Sequence, residues 1–499
     1  MLFNSYEFIF AFLPITFLIY FYLNSKRLTQ ASKGFLVFAS LFFYSWWNIA
    51  YLPLILISML FNYVVGNSLA KSSDENKKGL NKSFSKKSML IFGIIANLAL
   101  LVYFKYADFF IENFNLVASS NVNLLNLVLP LAISFFTFQQ IAYLVDSYRG
   151  ETKEYDFLNY ALFVTFFPQL IAGPIVHHKE MMPQFASTWN MVKNYKNIAL
   201  GLFIFSIGLF KKVVIADTFA AWATAGFDNA TTLNLIEAWA TSLSYTFQLY
   251  FDFSGYTDMA IGIALLFNIK LPINFNSPYK ATNIQDFWRR WHITLSRFLR
   301  DYVYIPLGGN KISSFRTYSN LLATFVIGGL WHGAGWTFVF WGFLHGMALV
   351  IHRVWSNLGF KMWTWLAWLI TFNFVNIAWV FFRAREWEDA IKVLSSMFSL
   401  DNVVLPEKYF KFLAEYNEVY FRFGTTYENI FGESKTTTFI LVGFLVVLVF
   451  KNSMEKIFLF RVNILYFIFV NILLLVSLYF LFISTFDSNT FSEFIYFNF

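Results

Sequence analysis

Long apolar runs recur along this chain and constrain its fold more than any other feature. Each run of roughly 17–25 residues is long enough to cross about 30 Å of hydrocarbon as a helix. The chain is 58% hydrophobic and only 13% charged, whereas a soluble chain carries about 25% charged residues. Because backbone polar groups in a bilayer must be satisfied internally, helices are expected to span it. The sequence therefore predicts an all-α polytopic membrane protein.

The predicted spans number about 11–13, because several are short, broken or re-entrant. They lie near residues 6–23, 34–52, 53–70, 88–104, 123–145, 156–176, 196–216, 236–267, 318–338, 339–355, 362–383, 436–450 and 463–484. The first run lacks a basic n-region and a small-residue cleavage site, so we expect a retained helix. Gly and Pro interrupt apolar sequence at LIAGP (170–174) and LPINFNSP (271–278). Irregular backbone at membrane depth must be covered by protein or line a cavity, so both segments predict a core with a cavity.

The charge distribution predicts the orientation and the domain organisation. The loops 26–33 and 71–87 are rich in lysine and arginine, and the positive-inside rule places both in the cytoplasm and the N-terminus outside. Cytoplasmic loops also explain the net charge of +8, so nucleic-acid binding is not indicated. We expect a core over 1–385, a mixed-polarity extramembrane excursion over 386–435, and transmembrane helices over 436–499. The chain contains no cysteine, which excludes disulfides and thiol nucleophiles.

Two histidines, His332 and His345, lie inside strongly apolar sequence and are the leading functional candidates. Ionisable side chains at membrane depth are costly and mark functional sites. They are 13 residues apart, about 220° around an unbroken helix, so they share no face unless Gly333 and Gly335 break it. Without cysteine or a His-x₃-His spacing, we expect no metal site. Histidine can accept and return a proton near neutral pH; the alternative for both is a hydrogen-bonded structural role. We expect His177 and His178 at an interface or in a loop, and His352 at an interface.

A basic amphipathic pattern immediately precedes these histidines. On a helical wheel over Ile284–Arg300, one side carries the charged residues and the opposite side is apolar. The charged side comprises Asp286, Arg289, Arg290, Arg297 and Arg300. Such a helix lies in the membrane interface. It could anchor the protein to anionic headgroups or form a cationic mouth for a phosphate-bearing donor, because arginine donates bidentately to phosphate. His292 lies at the border between the two sides.

A polar set also interrupts the apolar segment YFDFSGYTDMAIG, namely Asp252, Tyr256 and Asp258. Asp252 and Tyr256 are four residues apart and share one helix face. Unpaired carboxylates there would be costly. We expect them to pair with the nearby arginines, and the alternative is that they orient a catalytic histidine or a substrate hydroxyl.

These segments together resemble the membrane-bound O-acyltransferase superfamily, in particular its bacterial branch of alginate O-acetyltransferases and D-alanyl-lipoteichoic-acid acyltransferases. The resemblance runs to about residue 385, and PLGGN and the long C-terminal portion favour the alginate type. The matching segments are PLAISFFTFQQIAYLVDSYRG (130–150), FPQLIAGPI (167–175), FDFSGYTDMAIGIALLFN (251–268), NFNSPYKATNIQDFWRRWHITLSRFLRDYVYIPLGGN (274–310) and GGLWHGAGWTFVFWGFLHG (328–346). The family's catalytic histidine, in WHG, falls on His332. Its second functional histidine, in WRRWH, falls on His292, and that of FLHG falls on His345.

The resemblance implies a ring of tilted helices with a cytoplasmic funnel and a narrow path to the far face. It implies a cytosolic thioester donor, acetyl-CoA or an acyl carrier, with no bound cofactor, and a periplasmic SGNH-type partner or a glycan as acceptor. We hypothesise that His332 is the general base or transient acyl carrier and that His292 positions the donor or water. Trp331 and Trp336 would wall the tunnel, and Arg289 and Arg290 would hold the donor's phosphates. His345, Asp252 and Tyr256 complete the predicted substrate-binding set.

Alternatives remain open from the sequence. Within enzymes, the chain could transfer D-alanine or another acyl group from a carrier protein to an envelope polymer. A proton-coupled transporter would be favoured by inverted repeats or paired broken helices, and the sequence contains neither. We expect a multi-pass protein of the bacterial cytoplasmic membrane, in contact with lipids. Its glycan could be peptidoglycan, an alginate-like exopolysaccharide or lipopolysaccharide.

Overall fold

The computed structural model describes residues 1–77, 86–152, 156–406, 422–459, 464–486 and 494–495, and these are overwhelmingly helical. The α-helices are α1 (Leu13–Ser25), α2 (Thr29–Ser45), α3 (Leu52–Lys77), α4 (Lys86–Leu101), α5 (Ala107–Ala118), α6 (Ile133–Arg149), α7 (Phe157–Thr165), α8 (Phe167–Leu170), α9 (His178–Ala186), α10 (Tyr195–Phe210), α11 (Asp217–Thr224), α12 (Leu235–Leu266), α13 (Ile284–Arg290), α14 (Ile293–Leu299), α15 (Ser314–His332), α16 (Trp336–Asn357), α17 (Thr364–Arg383), α18 (Trp387–Phe398), α19 (Ser434–Val449), α20 (Ser453–Leu459) and α21 (Ile464–Phe486). The π-helical segments are Glu7–Phe12, Val102–Tyr106, Lys211–Ala216, Ala225–Asn229 and Arg300–Tyr304. Two short strands, β1 (Val404–Pro406) and β2 (Arg422–Gly424), pair in parallel.

Seven helical stretches in the described part of the chain are long and apolar enough to cross a membrane. They are Glu7–Ser25, Ile49–Lys71, Lys86–Ala118, Tyr195–Asn229, Trp336–Asn357, Thr364–Arg383 and Ile464–Ser484. Other predicted spans coincide with helices outside that set, namely α2, α6, α12, α15 and α19. The all-α polytopic architecture predicted from the apolar runs is therefore confirmed.

The segment predicted as one span over 156–176 is broken. Helix α7 ends at Thr165, α8 is a single turn, and the chain is non-helical from Ile171 to His177. The Gly-Pro pair in LIAGP explains the exit, because the residue before a proline is biased away from the helical region. The irregular backbone is buried from Phe166 to Val176, as covered backbone at membrane depth must be.

Helix α12 forms the centre of the fold. It runs for 32 residues, begins with a capping box between Asn234 and Glu237, and is buried along nearly all of its length. Helix α10 packs closely against it because two glycine pairs remove side chains from the contact. A Cβ on Gly208 would lie 2.6 Å from the Gly255 carbonyl oxygen, and one on Gly201 would lie 2.6 Å from that of Gly262. Small residues allow this approach between membrane helices.

Two predicted regions fall partly outside the described residues. In the basic loop over 71–87, residues 78–85 are not described, and in the excursion over 386–435, residues 407–421 are not described. The described part of the excursion holds α18 and the two strands. The division into core, excursion and C-terminal helices stays a prediction, as do the orientation and the central tunnel.

Candidate active site

The predicted amphipathic helix over 284–300 is not one helix, and that prediction is wrong. The chain forms two short helices, α13 and α14, separated at Trp291 and His292, and His292 adopts a left-handed conformation with φ of 42°. The backbone of residues 274–276, upstream in the chain, hydrogen-bonds to residues on both sides of the break. Ile293 N donates to the Asn274 carbonyl at 3.0 Å, and Asn276 N donates to the Arg290 carbonyl at 2.9 Å.

The Asn274 side chain fixes the orientation of His292. Its Oδ1 accepts from the Thr294 backbone N–H at 3.2 Å and from Thr294 Oγ1 at 2.9 Å. These donors identify this atom as the amide oxygen, which can only accept. His292 Nδ1 lies 3.1 Å from the same Oδ1, so Nδ1 must carry the proton. Burial lowers the pKa of His292 to about 3. The ring is therefore neutral at pH 7, with Nε2 as its basic atom.

Two tryptophans link the three apolar-context histidines into one buried row of rings. Trp331 lies between His292 and His332, with ring centroids 6.4 Å and 4.9 Å away. Trp341 lies between His332 and His345, at 5.1 Å and 4.8 Å. All five rings are buried. The structure thus brings His292, His332, His345 and Trp331 together, as the sequence predicted for one site.

The hairpin of α15 and α16 places His332 and His345 on either side of Trp341. The turn Gly333–Gly335 ends α15 and starts α16, with extended backbone at both glycines. This breaks the helix that would have separated the two histidines by about 220°. The helices touch at Gly329 and Gly342, whose Cα atoms are close enough that a Cβ on either would lie 3.1–3.2 Å from the other's Cα.

His345 is held in the opposite tautomer to His292. Trp288 Nε1 donates to His345 Nδ1 at 3.2 Å, and because an indole nitrogen only donates, that Nδ1 is unprotonated. The proton is therefore on Nε2, which has no hydrogen-bond partner among the described residues. His345 can therefore donate from Nε2, whereas the neutral ring of His292 can accept at its own Nε2.

A cavity of about 270 Å³ leads to His332. Its lining includes Lys105 and Asp108 from the helix Lys86–Ala118, Leu127 and Leu129 from the following loop, and Gly333 beside the histidine. Asp108 holds the loop, because its carboxylate oxygens accept from the backbone N–H groups of residues 125 and 126 at 2.7 and 2.9 Å. His332 is the one of the three histidines that lines this cavity.

Sequence reasoning missed Lys105 beside the row of rings and a separate polar cluster. Lys105 donates to the carbonyls of Trp331 and His332. A second cluster joins Asp146 to Tyr302, whose hydroxyl lies 2.8 Å from Oδ1, and to His177, whose Nδ1 lies 3.3 Å from Oδ2. His177 is buried and lies in the non-helical segment that ends at α9, so it is in a loop, one of the two settings predicted for it. A cation inside an apolar run was the available signal for Lys105.

The carboxylates Asp252 and Asp258 pair with lysines, so the predicted pairing with arginines is wrong. Lys212 Nζ lies 2.8 Å from Asp252 and also 2.8 Å from Asp217. Lys211 lies 2.7 Å from Asp258. These lysines come from the π-helical segment after α10, which packs against α12, so helix packing decides the partner.

Two further predicted residues, Tyr256 and Trp336, lie apart from the row of rings. Tyr256 stacks between Phe3 and Phe494, with centroids 4.8 and 4.3 Å away. Trp336 does not line the cavity beside His332; it is 54% exposed and donates from Nε1 to Asn113 Oδ1 at 2.8 Å. Its indole turns outward because Gly335 begins a new helix there.

The arginines of the amphipathic segment are mostly paired. Arg290 Nε lies 2.9 Å from Asp286, Arg297 lies 2.7 Å from Glu180, and Arg300 lies 2.7 Å from Asp301. Arg289 is exposed and has no ion pair within the described ranges. Both Arg289 and Arg290 lie on α13, one turn before the break at His292.

A family model and several known proteins match this chain. A family model described as the membrane-bound O-acyltransferase family matches residues 146–385. A peptidoglycan O-acetyltransferase of Helicobacter pylori is 58% identical over 435 residues, covering 81% of this chain and 81% of that protein. A probable alginate O-acetylase of Pseudomonas aeruginosa is 42% identical over 415 residues, covering 82% and 76%. A teichoic acid D-alanyltransferase of Bacillus subtilis is 28% identical over 279 residues, covering 52% and 70%.

Proposed function

Because the chain belongs to the membrane-bound O-acyltransferase family, we propose that it moves an acetyl group from a cytosolic thioester across the membrane for O-acetylation of an extracytoplasmic glycan. Membership makes the chain an acyltransferase, as its sequence predicts. One observation supports acetyl as the transferred group and a glycan as the acceptor. It is the 58% identity to a peptidoglycan O-acetyltransferase over 81% of both chains. It favours peptidoglycan among the glycans left open by the sequence.

His332 is the residue at which the transfer takes place in this proposal. Its imidazole accepts the proton of the acceptor hydroxyl as the hydroxyl oxygen attacks the thioester carbonyl. The tetrahedral intermediate then collapses, the C–S bond breaks, and the proton passes to the leaving thiolate. Alternatively the ring nitrogen attacks the thioester carbonyl first and expels the thiolate, and it carries the acetyl group until the hydroxyl oxygen displaces it and leaves the hydroxyl proton on the released imidazole. The cavity beside His332 and the aromatic rings around it support this role.

His292 and His345 act beside it with different chemistry. The neutral His292 offers an Nε2 lone pair, which suits it to hold a water molecule or a donor N–H or O–H group. His345 offers an Nε2–H, which suits it to donate to a carbonyl oxygen. Their opposite tautomers, fixed by Asn274 and Trp288, support binding roles on two sides of His332.

The cavity beside His332 is proposed to be the acceptor side. The helical stretch Lys86–Ala118 follows the basic loop predicted in the cytoplasm and is long enough to cross the membrane. The loop that lines the cavity follows this helix and so lies at the far face. The donor would approach from the cytoplasmic face, where Arg289 and Arg290 would bind the phosphates of acetyl-CoA. An acyl-carrier thioester is the alternative donor.

The setting of the reaction follows from the same proposal. The chain would lie in the bacterial cytoplasmic membrane, in contact with lipids, and would pass the acetyl group to a periplasmic SGNH-type partner or directly to the glycan. Transfer of D-alanine is the second candidate. Its support is the match to teichoic acid D-alanyltransferases, which is lower in identity and covers about half of this chain.

Gene deletion followed by mass spectrometry of each envelope glycan tests the proposal. We expect peptidoglycan to lose O-acetyl groups, and the wild-type gene to restore them. His332→Ala, at normal abundance in the membrane, should not restore them. Unchanged acetylation of every glycan after deletion, or loss of D-alanyl esters instead, would refute the acetyl assignment.

A further inference from the structure

The end of α15 that carries His332 is held by side chains of another helix. The last four carbonyls of an α-helix have no partner within the helix. Here the Leu330 carbonyl accepts from Tyr106 Oη at 2.6 Å. The next two carbonyls accept from Lys105 Nζ, that of Trp331 at 2.6 Å and that of His332 at 3.2 Å.

Lys105 and Tyr106, which both reach this helix end, belong to a π-helical segment, Val102–Tyr106. Such segments are rare within α-helices and occur frequently at functional sites. The interruption of this long spanning stretch therefore coincides with the two residues that cap α15.

Lys105 is an unusual choice for a cap. It lies inside a membrane-spanning stretch, where a cation is costly, and no carboxylate within the described ranges forms an ion pair with it. Its third ammonium proton is directed to Ser134 Oγ at 3.2 Å. A cation at a helix C-terminus is favourable for the helix dipole, but a neutral donor such as Tyr106 caps the preceding carbonyl without that cost.

We propose that Lys105 is a positioning residue that fixes His332 for acyl transfer, an inference that rests on the proposed function. Lys105 and His332 line the same cavity. With all three ammonium protons engaged by Trp331, His332 and Ser134, the lysine acts through the backbone of His332 and not on the substrate. Lys105 lies outside the matched family region of residues 146–385.

The test is a kinetic comparison of Lys105→Met with Tyr106→Phe in the purified full chain, using acetyl-CoA and a soluble glycan fragment. Both changes leave carbonyls of the last turn of α15 without a hydrogen-bond donor, so both variants measure how much stability the cap contributes. Only Lys105→Met releases the carbonyl of His332 itself. We expect its kcat to fall about 100-fold, the loss that follows a displacement of roughly 1 Å, with the donor KM within about twofold. Tyr106→Phe should lower kcat by only a few-fold.

Membrane abundance and the thermal midpoint in detergent separate positioning from folding. If Lys105→Met does not accumulate, Lys105→Gln serves, because its shorter amide keeps donors but cannot span both carbonyls. It should lower kcat with an unchanged donor KM. Wild-type kcat in a folded Lys105 variant, or equal losses in Lys105→Met and Tyr106→Phe, would overturn the inference. If the Lys105 inference fails but His332→Ala is inactive in the same assay, the proposed function still stands. An active His332→Ala would refute both the inference and the proposed role of His332.

Discussion

Replacing Gly329 with alanine should displace the hairpin of α15 and α16, which carries His332, by a measurable distance. A Cβ at Gly329 would lie 2.3 Å from the Phe338 carbonyl oxygen, about 1.1 Å inside the 3.4 Å at which ordinary contact begins. Both partners are backbone, so the helices α15 and α16 must separate. His332 is three residues further along α15 and its Trp341 neighbour is on α16. The strain therefore falls on the contact between His332 and Trp341.

The magnitude follows from that displacement. Overpacking of this kind costs about 1–3 kcal/mol of stability, and a misplacement of about 1 Å lowers turnover by roughly 100-fold. Peptidoglycan O-acetyl content, kcat on acetyl-CoA and the thermal midpoint in detergent measure the two effects.

The matched control is Gly34→Ala in α2. Gly34 is also a helical glycine, but a Cβ there would meet nothing within 4 Å. It should leave activity unchanged and raise stability by about 0.5–1 kcal/mol, the ordinary gain of alanine over glycine in a helix. Wild-type activity and stability in Gly329→Ala would show that the hairpin contact does not set the position of His332.

Three other variants test separate residues of the predicted site. His292→Ala should lower turnover less than loss of His332 does, since the role we propose for His292 is binding beside the reaction. Identical acetyl transfer at all donor concentrations would return it to a structural role. Arg289→Gln with Arg290→Gln should raise the donor KM more than it lowers kcat, because uniform binding energy is lost, and an unchanged KM with reduced insertion would favour a membrane anchor. Asp252→Asn should reduce abundance by weakening the buried pairing of Lys212, at a cost below the about 3–5 kcal/mol of a fully unpaired buried charge, because Asp217 still pairs with Lys212. Normal abundance with altered kinetics would instead support substrate orientation.

Sequence reasoning identified the candidate site through His332 and His345, because titratable groups in apolar sequence are visible without a structure. It could not locate the break in the amphipathic segment, since the cause is Asn274, 18 residues upstream of His292. Residues 284–300 have a continuous helical pattern, and tertiary hydrogen bonds override it. Local periodicity contains no information about such a partner.

Partner identity was the other point at which local reasoning failed. Asp252 lies near the arginines of α13 in sequence, but the packing of α10 on α12 through paired glycines brings lysines to it instead. Lys105 was visible as a cation, yet its role depends on the end of α15, more than 200 residues away. Which helix ends meet is a property of the assembled bundle.

The buried pairs of Lys211 and Lys212 with Asp258 and Asp252 have a consequence for biogenesis. The two lysines lie midway along a helical stretch, Tyr195–Asn229, that must enter the bilayer. Each unpaired charge at that depth opposes insertion by about 2.5–3.5 kcal/mol. Their acidic partners follow on α12, after a connection of only a few residues. We therefore expect the two helices to leave the translocation channel as one hairpin, with the charges neutralised before lipid surrounds them.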